Sequence, residues 1–215
     1  TIQEIFMLFS IYLFACTSEL DDKTAATVKE TVSNEKKEIK SDQPSLYIDP
    51  TSKVEWVGSK VSGDHRGGFE KMTGSVTLSG TGENIKVEEL HAEFDMRSLF
   101  SDHKKLTQHL LSPDFFDVES FPKSSFRMVG YENKKMIGIL TLRGVQKEIS
   151  FPCDLKIDAQ FVSINAEFTI NRKDFGIIYP GRPDDLIRDE VLLKLNVKYK
   201  FVVNLCSKCQ TQDCH

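Results

Sequence analysis

The chain has 215 residues, 40% hydrophobic and 28% charged, with a net charge of −4. That is enough apolar material for one domain of moderate size plus tails. An acidic chain with no Lys/Arg cluster has no electrostatic footprint for nucleic acid, and that class of partner is excluded.

In chain order, Ile5 to Ala15 is an apolar run of signal-peptide length, short of what a bilayer span needs. It ends in Leu13-Phe14-Ala15-Cys16, which resembles a bacterial lipobox. The resemblance implies that residues 1–15 are a signal peptide lacking its start and that Cys16 is lipidated. The alternative is a plain signal peptide or anchor fragment with an incidental cysteine. Residues 16–45 are rich in Lys, Glu, Asp, Ser and Thr, and this composition predicts a disordered tether. As a flexible coil of about 30 residues it would reach about 30 Å. Together these features predict a lipoprotein of the bacterial cell envelope, periplasm-facing or at the surface, held to a membrane by its N-terminal anchor.

From Leu46 to about residue 204 the pattern is that of a folded domain. Lys53 to Val61 reads as a strand carrying Trp56, Ser62 to Gly68 as a glycine-bearing turn, and Phe69 to Ser79 as a second strand. In Val87 to Met96, Leu90, Ala92, Phe94 and Met96 face one way. The period then changes: the stretch from Asp102 to Ser112 reads as a helix carrying Leu106, His109 and Leu110, ended by Pro113. A phenylalanine-rich loop follows, with Phe115, Phe116 and Phe121. Strands resume from Ser124 to Tyr131. A hairpin then runs from Met136 to Ile157 with its reversal at Arg143-Gly144-Val145-Gln146. Two further strands run from Phe161 to Ile170 and from Val191 to Val203. About eight strands, one helix and no βαβ repeat predict an all-β fold, an antiparallel sheet closed into a barrel.

Several stretches resemble the YceI-like family of bacterial proteins. They are Ser112 to Val118 with Phe121-Pro122 and Phe126, then Gly138 to Val145, then Asn171 to Ile177, then Asp189-Glu190-Val191. The resemblance implies an eight-stranded antiparallel lipocalin-like barrel over residues 46–204, with one short helix and an elongated apolar cavity for a polyisoprenoid or similar long-chain lipid. One departure stands out: Thr107-Gln108 precede His109-Leu110 where the family usually has an Arg-Asp pair. This implies a cavity mouth closed by other contacts.

The alternation by itself fits either a barrel filled by its own side chains or one enclosing a guest. With the resemblance, the cavity lining is expected to include Phe94, Met96, Leu110, Phe115, Phe116, Phe126, Met128, Leu140, Leu142, Phe151, Phe168 and Phe175. Phe115, Phe116 and Phe121 suit either a lid or a plug at one barrel end.

The polar candidates read as structural. His109 is expected to bond a nearby carboxylate, Asp114 or Asp117. His65, His91 and His103 are expected to be solvated, and Arg172 to pair with Asp174. Cys153 reads as a small buried apolar residue. No catalytic constellation is present, and none of the nucleophile-elbow, zinc-protease or phosphate-loop motifs occurs. The C-terminal tail, residues 205–215, carries Cys206, Cys209, Cys214 and His215. In an oxidising compartment it could form disulfides, ligate a metal or stay unstructured.

The expected function is therefore non-enzymatic: binding, sequestration or transport of a lipophilic molecule, with no cofactor beyond that lipid and a homodimer left open. The alternative is metal-handling or redox work by the tail.

Overall fold

The computed structural model describes residues 19, 20, 22–30 and 46–201, and within them fourteen strands and one α-helix. In order these are β1 (Thr27–Glu30), β2 (Leu46–Ile48), β3 (Lys53–Lys60), β4 (Gly63–Phe69), β5 (Met72–Ser79), β6 (Lys86–Asp95) and β7 (Leu99–Ser101). Then follow α1 (Lys104–Leu111), β8 (Lys123–Glu132), β9 (Lys135–Leu142), β10 (Val145–Pro152), β11 (Asp154–Ile157), β12 (Phe161–Asn171), β13 (Gly181–Arg182) and β14 (Asp185–Lys200).

Twelve of these strands make eight staves, because four staves are broken by kinks. β2 and β3 are parted at Pro50, where Asp49 accepts from Thr51 N at 2.9 Å. β4 and β5 are parted at Glu70-Lys71. β6 and β7 are parted by a 3-10 turn over Met96–Ser98, opened by Asp95 accepting from Arg97 N. Pro152, with no N–H to give the ladder, ends β10, and β11 continues the same stave after Cys153. The remaining staves are unbroken. Two tight turns fix their register: Asn133-Lys134 and Arg143-Gly144 all have positive φ, as a two-residue hairpin turn requires. The sheet closes through β14, which pairs with β12 on one edge and with β3 and β2 on the other.

Two expectations change here. The stretch from Ser62 to Gly68 is largely strand β4, not a turn, because its glycines lie flat against the β3 ladder and leave room for the Trp56 ring. The tether also fails as a disordered segment over its described part. β11 pairs with β12, but β10 splays away from β12, and β1 fills the fork. Val28 lies opposite Ile149, and Ala26 N donates to Thr169 O of β12 at 2.8 Å. The arm continues across the outer wall: Lys23 pairs with Glu167 at 2.6 Å, and Leu20 is buried on Val57 and Leu192. Glu19 pairs with Lys194 and with Arg66. Charged side chains made this segment look unfoldable, yet residues 25–30 cover an open strand edge that would otherwise stand unpaired, with Ala26 and Val28 packed on the core, while Leu20 packs on the outer wall. Burying a leucine is worth about 1.5–3 kcal/mol.

Candidate functional site

In an up-and-down barrel, successive connections alternate between the two ends. The β3–β4 tip, α1 with its following loop, the β9–β10 turn and the β12–β14 connection therefore share one end. The lining of a single apolar cavity of about 310 Å³ begins there and continues down the barrel. Along β14 it extends from Ile187 to Tyr199, about 40 Å of strand and so about 30 Å of barrel axis after tilt.

Of the expected lining, Phe94, Leu110, Phe115, Phe116, Phe126, Leu140, Leu142, Phe151 and Phe168 meet in this cavity. The aromatic rings share the space without closing it. Phe151 stacks on Phe168 at 4.0 Å between centroids, Phe126 tilts against Phe151 at 5.7 Å, and Phe69 tilts against Phe94 at 5.2 Å. Phe126 has room because residue 138 is glycine: a Cβ there would sit 2.3 Å from the ring.

Met96, Met128 and Phe175 are buried but do not line the cavity. Each sits where the strand period breaks. Met96 starts the 3-10 turn, Met128 adjoins a register shift between β8 and β9, and Phe175 ends a 3-10 segment over Arg172–Phe175. Extrapolating alternation across an irregularity loses the facing direction. Conversely, Trp56, Leu90, Met136, Ile149, Ile164 and Ile170 line the cavity, as do Val191, Leu193, Leu195, Val197 and Tyr199 of β14. Their alternation with polar neighbours was the available signal.

One end is capped by α1 and the loop after it, through Leu106, Leu110, Phe115 and Phe116; Phe121 lies apart, against Gly144 and Arg143. Where the family's usual pair is missing, Thr107 does the fastening: its Oγ1 accepts from Ser101 N at 2.9 Å and ties α1 to β7. His109 bonds Asp114 at 2.9 Å and meets Phe115 and Tyr179 edge-on, both at 4.9 Å between centroids. Arg143 donates to Gly176 O and Pro113 O, locking the capping loop to the opposite rim.

The polar fringe at this end contains Lys60, His65 and Arg172. His65 is not simply solvated: its Nδ1 lies 3.0 Å from Asp102. Arg172 is 4% exposed and pairs with Asp189 at 3.0 Å, not with Asp174. It also donates to Ile177 O at 2.7 Å and to Arg188 O at 3.1 Å. The turn places Asp174 elsewhere, while β14 delivers Asp189 to the guanidinium.

Residues 47–199 match the YceI-like domain. The chain belongs to the YceI-like family. A UPF0312 protein of Pseudomonas putida (strain W619) is 30% identical over 128 residues, covering 54% of this chain and 65% of that relative, a little under two thirds of its length. Two solved structures share the fold. A polyisoprenoid-binding domain from Saccharophagus degradans has a TM-score of 0.61 at 12% identity, over 75% of this chain and 100% of that one. BcnA of Burkholderia cenocepacia has a TM-score of 0.58 at 19% identity, over 70% of this chain and 98% of that one.

In this YceI-like barrel, no cluster of three or more His, Cys, Asp or Glu side chains among the described residues could hold a metal ion. Cys16, Cys206, Cys209, Cys214 and His215 lie outside the described residues. Burial pushes the Cys153 thiol up to about 12, with Asp154 adding to the shift. Cys153 should therefore resist alkylation at pH 8 in the folded YceI-like domain and react once denaturant is added, as peptide mapping would show. Comparable labelling in both states would mean that the site is open. Because the thiol's ordinary value is 9.0 and the folded one about 12, stability falls as pH rises through that window.

Proposed function

We propose that this YceI-like barrel carries a single long-chain lipophile, a polyisoprenoid or similar lipid, in its cavity without making or breaking bonds. The observation that carries the reading is the hollow itself: about 310 Å³ walled by aromatic and aliphatic side chains, at the small end of the roughly 300–1,000 Å³ range of ligand pockets. Each buried methylene contributes about 0.8 kcal/mol, so a chain threaded down the cavity gains affinity with length while a polar metabolite gains none. The polar fringe of Lys60, His65 and Arg172 suits a head group at the capped end. The Saccharophagus neighbour, described as a polyisoprenoid-binding domain, supports this ligand class.

The reading includes a place in the bacterial envelope, with Cys16 lipidated and the barrel held at a membrane. The described arm supports a short leash, since Glu19 is already docked on the barrel wall. Organic extraction of protein purified from its native membrane, followed by mass spectrometry, should yield one long-chain lipid per barrel. Mass spectrometry of the mature N-terminus should find an acylated Cys16. A consistently empty barrel that also refuses isoprenoid chains in solution would refute the carrier reading.

A further inference from the structure

At the α1 end, two tips are welded into one lobe. Asp185 accepts from Lys60 Nζ at 2.6 Å and from Ser62 N and Ser62 Oγ, both at 3.0 Å. Val61 N donates to Leu186 O at 3.1 Å, and Ile187 N to Pro180 O at 3.0 Å. Lys60 holds the Asp185 carboxyl below the usual carboxylate range, so the weld persists at neutral pH and loosens only as pH falls through that lowered value.

The lobe is two-faced. Lys60, Ile177 and Ile187 line the cavity. Their immediate neighbours point the other way: Val61 is 76% exposed, Ile178 70% and Leu186 51%. Three aliphatic side chains held in solvent on one rigid lobe, at the end where an apolar cavity is capped, are costly for a surface that meets only water.

We infer that this lobe docks on a lipid bilayer, Val61, Ile178 and Leu186 entering the interface so that the cavity's capped end faces the membrane. The inference rests on the carrier reading for its purpose, but not for its geometry. The occupant is named by the chain outside the described residues. Cys16, whose acylation is proposed above, lies three residues before Glu19, a reach of at most about 11 Å. Glu19 is clamped to Arg66 of β4 and Lys194 of β14, the two staves whose tips form the lobe. Arg66 is three residues from the start of β4, about 10 Å along the strand. With Cys16 acylated, so short a leash keeps these staves beside the bilayer. Of the other exposed apolar side chains, Tyr47, Ile85 and Val129 lie toward the opposite end, and Phe100 lies part-way along the wall, opposite Gly68 of β4.

The test uses the full chain with its native N-terminus, bound to vesicles of phosphatidylglycerol and phosphatidylcholine, with bromine on the phosphatidylcholine acyl chains. Trp56 is the only native tryptophan and gives the baseline signal. Single variants Val61→Trp and Leu186→Trp report the lobe; Tyr47→Trp and Val129→Trp report the far end. Lobe tryptophans should be quenched at least threefold more strongly than far-end ones. Equal quenching, or stronger quenching at the far end, would overturn the inference. These positions are exposed, so all four variants should fold, and circular dichroism checks this. A triple variant, Val61→Asp with Ile178→Asp and Leu186→Asp, should slow uptake of a pyrene-labelled fatty alcohol from vesicles about tenfold and leave its affinity in solution unchanged. Failure of the native protein to bind the alcohol in solution would sink the carrier reading alone, because bromine quenching does not depend on it.

Discussion

The Ala92→Trp variant loses about 50-fold in affinity for a long-chain lipophile while its barrel stays folded. Ala92 lies on β6 between Leu90 and Phe94, opposite Phe126 of β8, and all four line the cavity. An indole there occupies volume that the guest would use. Displacing three methylenes at about 0.8 kcal/mol each removes about 2.4 kcal/mol, or about 50-fold in Kd. The control is one residue along: His91 is exposed on the outer face, so His91→Trp should leave binding unchanged. Titration of both variants with a fluorescent isoprenoid alcohol, with thermal unfolding measured in parallel, decides the matter. Equal affinities would show that the guest sits elsewhere.

Replacing Arg172 with methionine costs about 3 kcal/mol or more, because Ile177 O and Arg188 O lose buried donors and Asp189 loses its shielded cation. For a domain of this size that lowers Tm by about 6–12 °C. Lys173 pairs with the same carboxylate at 2.8 Å but is half exposed, so Lys173→Met should cost no more than about 1 kcal/mol. Calorimetry on both variants provides the check, and a drop smaller than 2 °C for Arg172→Met would show that water replaces the guanidinium freely.

These two sites also show how far the residues could be read without coordinates. Ala92 faces inward by plain alternation, visible in the run from Leu90 to Phe94. Arg172 shows the opposite situation. Asp174 was its nearest acid in sequence, whereas its actual partner Asp189 comes from β14, 17 positions away. A sequence places charges along the chain, and pairing depends on which strands the closure of the barrel brings together.

The same boundary runs through the whole molecule. Period-2 alternation, the turn at Arg143-Gly144 and the break at Pro113 determined an antiparallel closed sheet with one helix, because those patterns act over a few residues. Local signals also named nine of the lining side chains. They misplaced Met96, Met128 and Phe175 once a kink, a register shift or a 3-10 segment reset the facing direction. That the arm from Glu19 to Glu30 would become part of the wall was not local at all: a polar, charged segment becomes ordered because β10 and β12 diverge and leave an edge for it. Whether the interior is hollow was likewise a question of volume, settled only when all eight staves and the α1 cap are placed around one axis.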